Sequence, residues 1–210
     1  MAKTEVLKIG SKKHWPKVFE KISLIIKNKK IFIFPTETVY GIGSGIFDQT
    51  VIKKIYQLRH RPPAKALLIL IGQKKDLDRF VYLNNQAKKI IRKFWPGPLT
   101  IILKKKKIVP SFITAGKKTV AVRMPGSKFL LALLKKIKQP IVAPSANLSG
   151  EKSSLTAQEA LKYFDGKVSL ILDGGQTKYQ KESTILDLTQ GPAKILREGA
   201  VSKKKLIKYL

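Results

Sequence analysis

Between Ile31 and Phe34 four apolar residues run with no polar alternation, a pattern that suits a strand buried on both faces of a sheet. Pro35 ends that run. Thr36, Glu37, Thr38 and Tyr40 then place hydroxyls and a carboxylate just past the strand, and Gly41, Gly43 and Gly45 allow sharp turning and a close approach of backbone to ligand. The pattern predicts a binding loop. From Asp48, a good N-cap, Val51, Ile52, Ile55, Tyr56 and Leu58 follow helical spacing, and the helix ends in Arg59, His60 and Arg61 before Pro62. Strand, polar loop and basic helix end form one unit.

The same reading extends along the chain. Val6 to Ile9 predicts a short strand, and Trp15 to Lys27 an amphipathic helix burying Val18, Phe19, Ile22, Ile25 and Ile26. Leu67 to Ile71 is a second fully apolar strand, followed by helical segments near Lys74 to Phe80 and from Asn84 to Phe94. Trp95-Pro96-Gly97-Pro98 is a rigid turn that can hold no helix. Strands are expected at Leu99 to Leu103, Thr119 to Met124, Ile141 to Ala143, Val168 to Leu172, Thr184 to Leu188 and Ala193 to Leu196. Ser127 to Lys138 predicts a helix, and Thr156 with Glu159 reads as a capping box opening another that runs to Phe164. Ser202 caps a short C-terminal helix. This alternation argues one α/β domain over residues 5–201, with 202–210 a terminal helix of the same unit, built on a twisted, open, mixed parallel and antiparallel sheet flanked by helices.

Composition narrows the class. The longest apolar run, Ala66 to Ile71, is six residues, far short of the roughly 18 that a membrane-spanning helix needs. The chain has no cysteine, hence no disulfide and no thiolate nucleophile or ligand. A cytoplasmic location is expected. The formal charge of +30 invites a nucleic-acid reading, because basic residues that neutralise phosphates release counterions. Of 43 basic residues only six are arginine, however, and such a lysine skew also follows from a coding bias towards AT-rich codons. The run Lys104 to Lys107 reads as solvated loop or as an RNA contact.

Chemistry-bearing residues are few. Gly41-Ile42-Gly43-Ser44-Gly45 lacks the spacing of a dinucleotide fingerprint, and no Walker lysine follows a glycine loop. Arg59 and Arg61, two apart at a helix end, can diverge to grip different oxygens of one polyphosphate; taken alone, they read as surface charge. Ser145 and Asn147 sit in Pro144-Ser145-Ala146-Asn147-Leu148-Ser149-Gly150, a polar loop after an apolar strand, which is either a plain turn or a ligand loop at a strand's carboxyl end. His14 and His60 resemble no part of a triad. Glu37, Asp173, Glu182 and Asp187 are too scattered for a protein-built metal cage.

Seven segments occur in a characteristic order: PTETVYG at 35–41, the basic pair Arg59 and Arg61, WPGPLT at 95–100, VAVRMP at 120–125, PSANLSG at 144–150, EST at 182–184 and ILREG at 195–199. In this the chain resembles the YrdC family, and within it the threonylcarbamoyl-AMP synthases. Because the chain stops soon after ILREG, it is similar to the single-domain TsaC type, without the further C-terminal domain of longer relatives.

The resemblance implies an open sheet with a concave basic face. It implies a nucleotidyltransferase that condenses L-threonine, bicarbonate or carbon dioxide, and ATP into threonylcarbamoyl-AMP and pyrophosphate. Magnesium would arrive on ATP, and a separate transferase complex would pass the threonylcarbamoyl group to tRNA. By matching positions, Thr36, Arg123, Ser145 and Ser183 would line the threonine site, with Lys65, which matches a lysine of the bacterial branch, beside them. Arg59, Arg61, Thr119, Asn147 and Arg197 would hold ATP, with Thr156 a further candidate, and Arg59, Arg61, Ser145 and Asn147 would carry catalysis. The family usually has lysine where this chain has Arg59. A non-catalytic binder of tRNA or double-stranded RNA is the alternative reading. A carbamoyl-transfer module like that of hydrogenase maturation proteins is a third, which the absence of cysteine and of spare length disfavours.

Overall fold

The computed structural model describes residues 3–210. In chain order the strands are β1 (Glu5–Lys8), β2 (Phe32–Pro35), β3 (Tyr40–Gly43), β4 (Leu68–Leu70), β5 (Leu99–Lys104), β6 (Thr119–Arg123), β7 (Ile141–Val142), β8 (Leu170–Asp173), β9 (Thr184–Asp187) and β10 (Lys194–Arg197). The helices are α1 (Trp15–Lys27), α2 (Gln49–Leu58), α3 (Asn85–Phe94), α4 (Ser111–Thr114), α5 (Lys128–Ile137), α6 (Ala157–Phe164) and α7 (Lys203–Ile207). Several boundaries are set by the residues that suggest them. Asp48, Asn84, Ser127, Thr156 and Ser202 each accept a backbone N–H of the first turn of the helix they precede.

The strands form two mixed sheets, in the orders β1-β8-β2-β3 and β10-β9-β5-β6-β4-β7. β1 and β2 flank β8 in parallel, while β3 returns antiparallel to β2. In the larger sheet β4–β6 and β5–β9 are parallel and the remaining pairs antiparallel. The edges β3 and β7 face one another across a seam. Isolated bridges pair Gly41 with Ser145 and Gly45 with Ile141, and Ile42 N–H donates to the Pro144 carbonyl at 2.9 Å. The two sheets thus run on as one interrupted surface. Gly43 makes the seam possible: a Cβ there would stand 2.0 Å from the Val142 carbonyl oxygen.

Three local expectations change. The segment after Pro35 is a hairpin, in which only Thr36–Val39 is turn and Tyr40–Gly43 is strand. Its glycines serve strand-to-strand approach. Pro35 closes β2 opposite Tyr40, where its missing N–H costs the ladder little. Residues 74–79 form a 3-10 helix, and the lysine run is loop only in part: Lys104 ends β5, Lys105 Nζ donates to the Val109 carbonyl at 2.7 Å, and Lys106 and Lys107 lie outside any strand or helix.

Two apolar layers hold the sheets. α1 and α5 cover one face with Val18, Phe19, Ile22, Phe129 and Leu133 against Phe32, Phe34, Leu170 and Leu172. Opposite, Ile33, Ile42, Ile101, Leu103, Val120 and Val122 pack with residues of α2, α3 and α6, and Leu206 of α7 joins this layer. Strand alternation then decides where a cleft can lie. With Ile101, Leu103, Val120, Val122 and Leu186 turned into the core, Thr100, Ile102, Ala121, Arg123 and Ile185 must face the other way. No helix covers that stretch, and it opens onto a cavity of about 350 Å³.

Candidate functional site

The cavity is bounded by the 36–39 turn, the start of β3, the end of α2 with the following loop, the open face of β5, β6 and β9, and Ser145 from beyond the seam. It gathers Thr36, Arg59, Arg61, Lys65, Arg123, Ser145, Ser183 and Arg197 from six separate stretches of chain. Among these, the arginines sort by what faces them.

Arg59 caps the C-terminal end of α2 and is 3% exposed. Its Nε donates to the Asn147 carbonyl at 3.1 Å, and its Nη2 to Ser145 Oγ at 3.2 Å and Asn147 Oδ1 at 3.4 Å. Nη1 is buried with no partner. Every acceptor is neutral. Burial pulls the guanidinium down from its ordinary value to about 10, Arg61 adds to the fall, and Glu182 opposes it. Arg61 donates to the Lys65 and Ala66 carbonyls at 3.2 and 2.9 Å, and burial lowers its pKa as well. Two adjacent cations with only neutral partners leave uncompensated positive charge at this end of the cavity.

The other two arginines are paired. Arg123, 4% exposed, donates from Nε to the Gly97 carbonyl at 3.1 Å and from Nη1 to Thr38 Oγ1 at 2.8 Å. Its Nη2 lies 2.7 Å from Glu37 Oε1. That contact is an ion pair between two buried side chains. Arg197 forms an ion pair with Glu182 and donates to the Ser183 carbonyl at 3.1 and 2.9 Å. Its pKa is lowered by burial, against the pull of Glu182. Gly199 lets the chain after Arg197 cross this pair closely: a Cβ there would stand 2.1 Å from the Glu182 carbonyl oxygen.

Hydroxyls cover the floor. Ser183 Oγ and Thr100 Oγ1 are 2.8 Å apart, both buried. The Thr36 hydroxyl is engaged in its own turn, accepting from the N–H groups of Thr38 and Val39 at 3.1 and 3.2 Å and donating to the Val39 carbonyl at 2.7 Å. Asn147 stands behind Arg59, its amide donating to the carbonyls of Leu148 and Glu151 at 2.8 and 2.7 Å. It shapes the loop and orients Arg59. Tyr40, its hydroxyl pushed up to about 12 by burial, anchors the 174–175 turn with a 2.8 Å bond to the Gly175 carbonyl.

Three expected residues do not line the cavity: Asn147, which stands behind Arg59, and two that lie elsewhere. Thr119 opens β6 on the same face, by alternation with Ala121, but outside the residues that line the cavity. Thr156 borders a different cavity, beyond the 36–39 turn, and its hydroxyl caps α6 by accepting from Glu159 N–H at 3.2 Å. Conversely, Thr38, Thr100, Glu37 and Glu182 belong to the site or its wall: the sequence names Thr38 and Glu37 only as parts of a binding loop and Glu182 only as a scattered carboxylate, and it does not mark Thr100 as a site residue. Thr100 carried a signal: it is the polar residue on the open phase of an otherwise apolar strand. Among the described residues no three His, Cys, Asp or Glu side chains cluster as a metal site, and no helix is long and apolar enough to cross a membrane.

An open-sheet α/β protein with an arginine-lined, hydroxyl-floored ligand cleft is thereby defined. The chain belongs to the Sua5/YciO/YrdC family, whose model, described as "Telomere recombination", matches residues 24–199. It is 40% identical over 186 residues to a threonylcarbamoyl-AMP synthase of Pyrococcus abyssi, covering 88% of this chain and 55% of that protein. To a putative threonylcarbamoyl-AMP synthase of Methanocaldococcus jannaschii it is 36% identical, covering 90% of this chain and 89% of the relative. The solved structure of P. abyssi Sua5 complexed with L-threonine superposes with a TM-score of 0.94 at 36% identity, over 99% of this chain and 61% of that one. The chain thus spans little more than half of the P. abyssi proteins it matches.

Proposed function

We propose that the protein is a threonylcarbamoyl-AMP synthase, a nucleotidyltransferase that joins L-threonine, bicarbonate or carbon dioxide, and ATP, and releases pyrophosphate. The observation that carries this reading is that one cavity holds two differently partnered groups of residues, which we read as its two ends. At one end Arg59 and Arg61 meet no carboxylate. At the other, Arg123, Ser183 and Thr100 offer a guanidinium donor and two hydroxyls at the scale of an amino acid. The threonine-bound Sua5 structure and the names of the relatives support it.

The residues suit a reaction run by positioning and charge. Threonine's amine and carbon dioxide form a carbamate with loss of a proton. A carbamate oxygen attacks the α-phosphorus of ATP, and the bond to the β-phosphate oxygen breaks as pyrophosphate leaves. The carbamate needs no side-chain base for that attack, in keeping with a cavity that contains no histidine. Arg59 and Arg61 would hold the phosphates, with Arg197 and Thr119 towards the nucleotide. Arg123, Ser145, Ser183, Thr36 and Lys65 would hold threonine. Fixing the reactants in line contributes about 7 to 11 kcal/mol to such a step, and the positive field offsets charge on the equatorial oxygens. Magnesium would enter on ATP, since the cleft carboxylates Glu182 and, behind the wall, Glu37 are already paired with arginines. In the cell we place the enzyme in the cytoplasm, with its product passed to tRNA by a separate transferase complex. The test is pyrophosphate release from ATP that requires both threonine and bicarbonate. Release that ignores either one argues against the assignment.

A further inference from the structure

Among the described residues, Glu37 is the one carboxylate that touches a cleft arginine without itself lining the cleft. Its neighbour Thr38 faces the cleft and Thr36 borders both cavities, while Glu37 lines only a second cavity, of about 670 Å³. Glu37 and Arg123 therefore meet within the wall between two cavities, with side chains 9% and 5% exposed. The residue is fixed by backbone from two other segments, one on its carboxylate and one on its main chain. Its Oε1 accepts the Gly126 N–H at 2.7 Å, and the Glu37 carbonyl accepts the Tyr179 N–H at 2.9 Å. Oε2 is buried with no partner. A desolvated carboxylate with one idle oxygen, held against a desolvated arginine, must act chiefly through that arginine.

Its effect follows from the four guanidinium groups of the cleft, those of Arg59, Arg61, Arg123 and Arg197. A polyphosphate is drawn to whichever guanidinium lacks a counter-charge. Arg59 and Arg61 lack one, and Arg123 does not. We propose that Glu37 is the positioning residue that partitions the two ligands: by neutralising and orienting Arg123 it reserves that end for the carboxylate of a zwitterionic amino acid and leaves polyphosphate to Arg59 and Arg61. The inference rests on the amino-acid and ATP reading of the cleft given above.

Glu37→Gln keeps the shape and an oxygen for the Gly126 N–H while removing the charge. The expected result is a rise of about tenfold or more in KM for L-threonine, with KM for ATP within about twofold. Pyrophosphate should also become competitive with threonine in this variant and not in the unaltered protein. Gly126→Ala provides the second variant, because its Cβ would stand 3.2 Å from Glu37 Oε1 and push the carboxylate aside without changing its charge. It should raise the threonine KM without making pyrophosphate competitive. Calorimetry with L-threonine on the unaltered protein is run first. No binding there overturns the amino-acid reading itself. Binding, together with an unchanged threonine KM or no pyrophosphate competition in Glu37→Gln, overturns the role of Glu37 alone. If Glu37→Gln no longer binds ATP and so is misfolded, Gly126→Ala decides, and an unchanged threonine KM overturns the proposal.

Discussion

Arg59 Nη2 donates to Ser145 Oγ at 3.2 Å, so a single guanidinium joins the end of α2 to the loop beyond the β3–β7 seam. That guanidinium meets no carboxylate and keeps Nη1 without a partner. A buried cation so placed costs the fold stability, and an anion arriving beside it relieves the cost.

Triphosphate binding should therefore stabilise the protein measurably. Because the pKa of Arg59 is lowered to about 10, the destabilising cost is fully present at any pH below that value. It fades only as the group deprotonates above it, so near-neutral pH is the right condition. At a ligand concentration of about 100 times Kd the gain is about 2.7 kcal/mol, or roughly 5 to 10 °C in Tm for a chain of this size. Arg61→Ala should lose most of that shift and lower threonine-dependent pyrophosphate release by about a hundredfold or more. A wild-type shift in a thermal melt of this variant would contradict the placement of the phosphates.

Thr100→Val tests the floor of the amino-acid end. It takes from the buried Ser183 Oγ its 2.8 Å partner and leaves it only the 3.4 Å bond from Arg197 Nη2, at a cost of about 1 kcal/mol. Steady-state kinetics should show a higher threonine KM with the ATP KM unchanged. Equal effects on both substrates would mean that Ser183 does not serve threonine.

Thr156→Ala separates a helix cap from a nucleotide contact. The hydroxyl accepts from Glu159 N–H and borders the second cavity. Loss of about 1 kcal/mol of stability with an unaltered ATP KM is expected. A raised ATP KM would return Thr156 to the nucleotide site.

Gly43→Ala tests the seam. With the Val142 carbonyl oxygen 2.0 Å from the new Cβ, β3 and β7 must part, at a cost of about 3 kcal/mol. Urea unfolding measures it, and a loss below about 1 kcal/mol would show that the seam is plastic.

Much of this architecture could be read from local pattern. Val18, Phe19, Ile22 and Ile25 fix α1 by period, and the caps Asp48, Asn84, Ser127 and Ser202 fix helix starts because capping involves only the next few residues. β3 escaped because Tyr40-Gly41-Ile42-Gly43 has the composition of a loop, and its strand character comes from β2 and from a seam formed with residues about a hundred positions later. The cleft residues could be grouped by resemblance, but their electrostatics could not. That Glu37 neutralises Arg123 while Arg59 goes unpaired depends on which face of a turn each side chain takes. Thr156 shows the converse limit: a strong local cap signal does not say on which side of the 36–39 turn it will lie.

The central claim is tested most directly by mass spectrometry of the product formed from ATP, L-threonine and carbon-13 bicarbonate. The account predicts threonylcarbamoyl-AMP carrying the label in its carbamoyl carbon, formed together with pyrophosphate. Purified, folded protein that binds both ATP and threonine yet yields no labelled adenylate would contradict it.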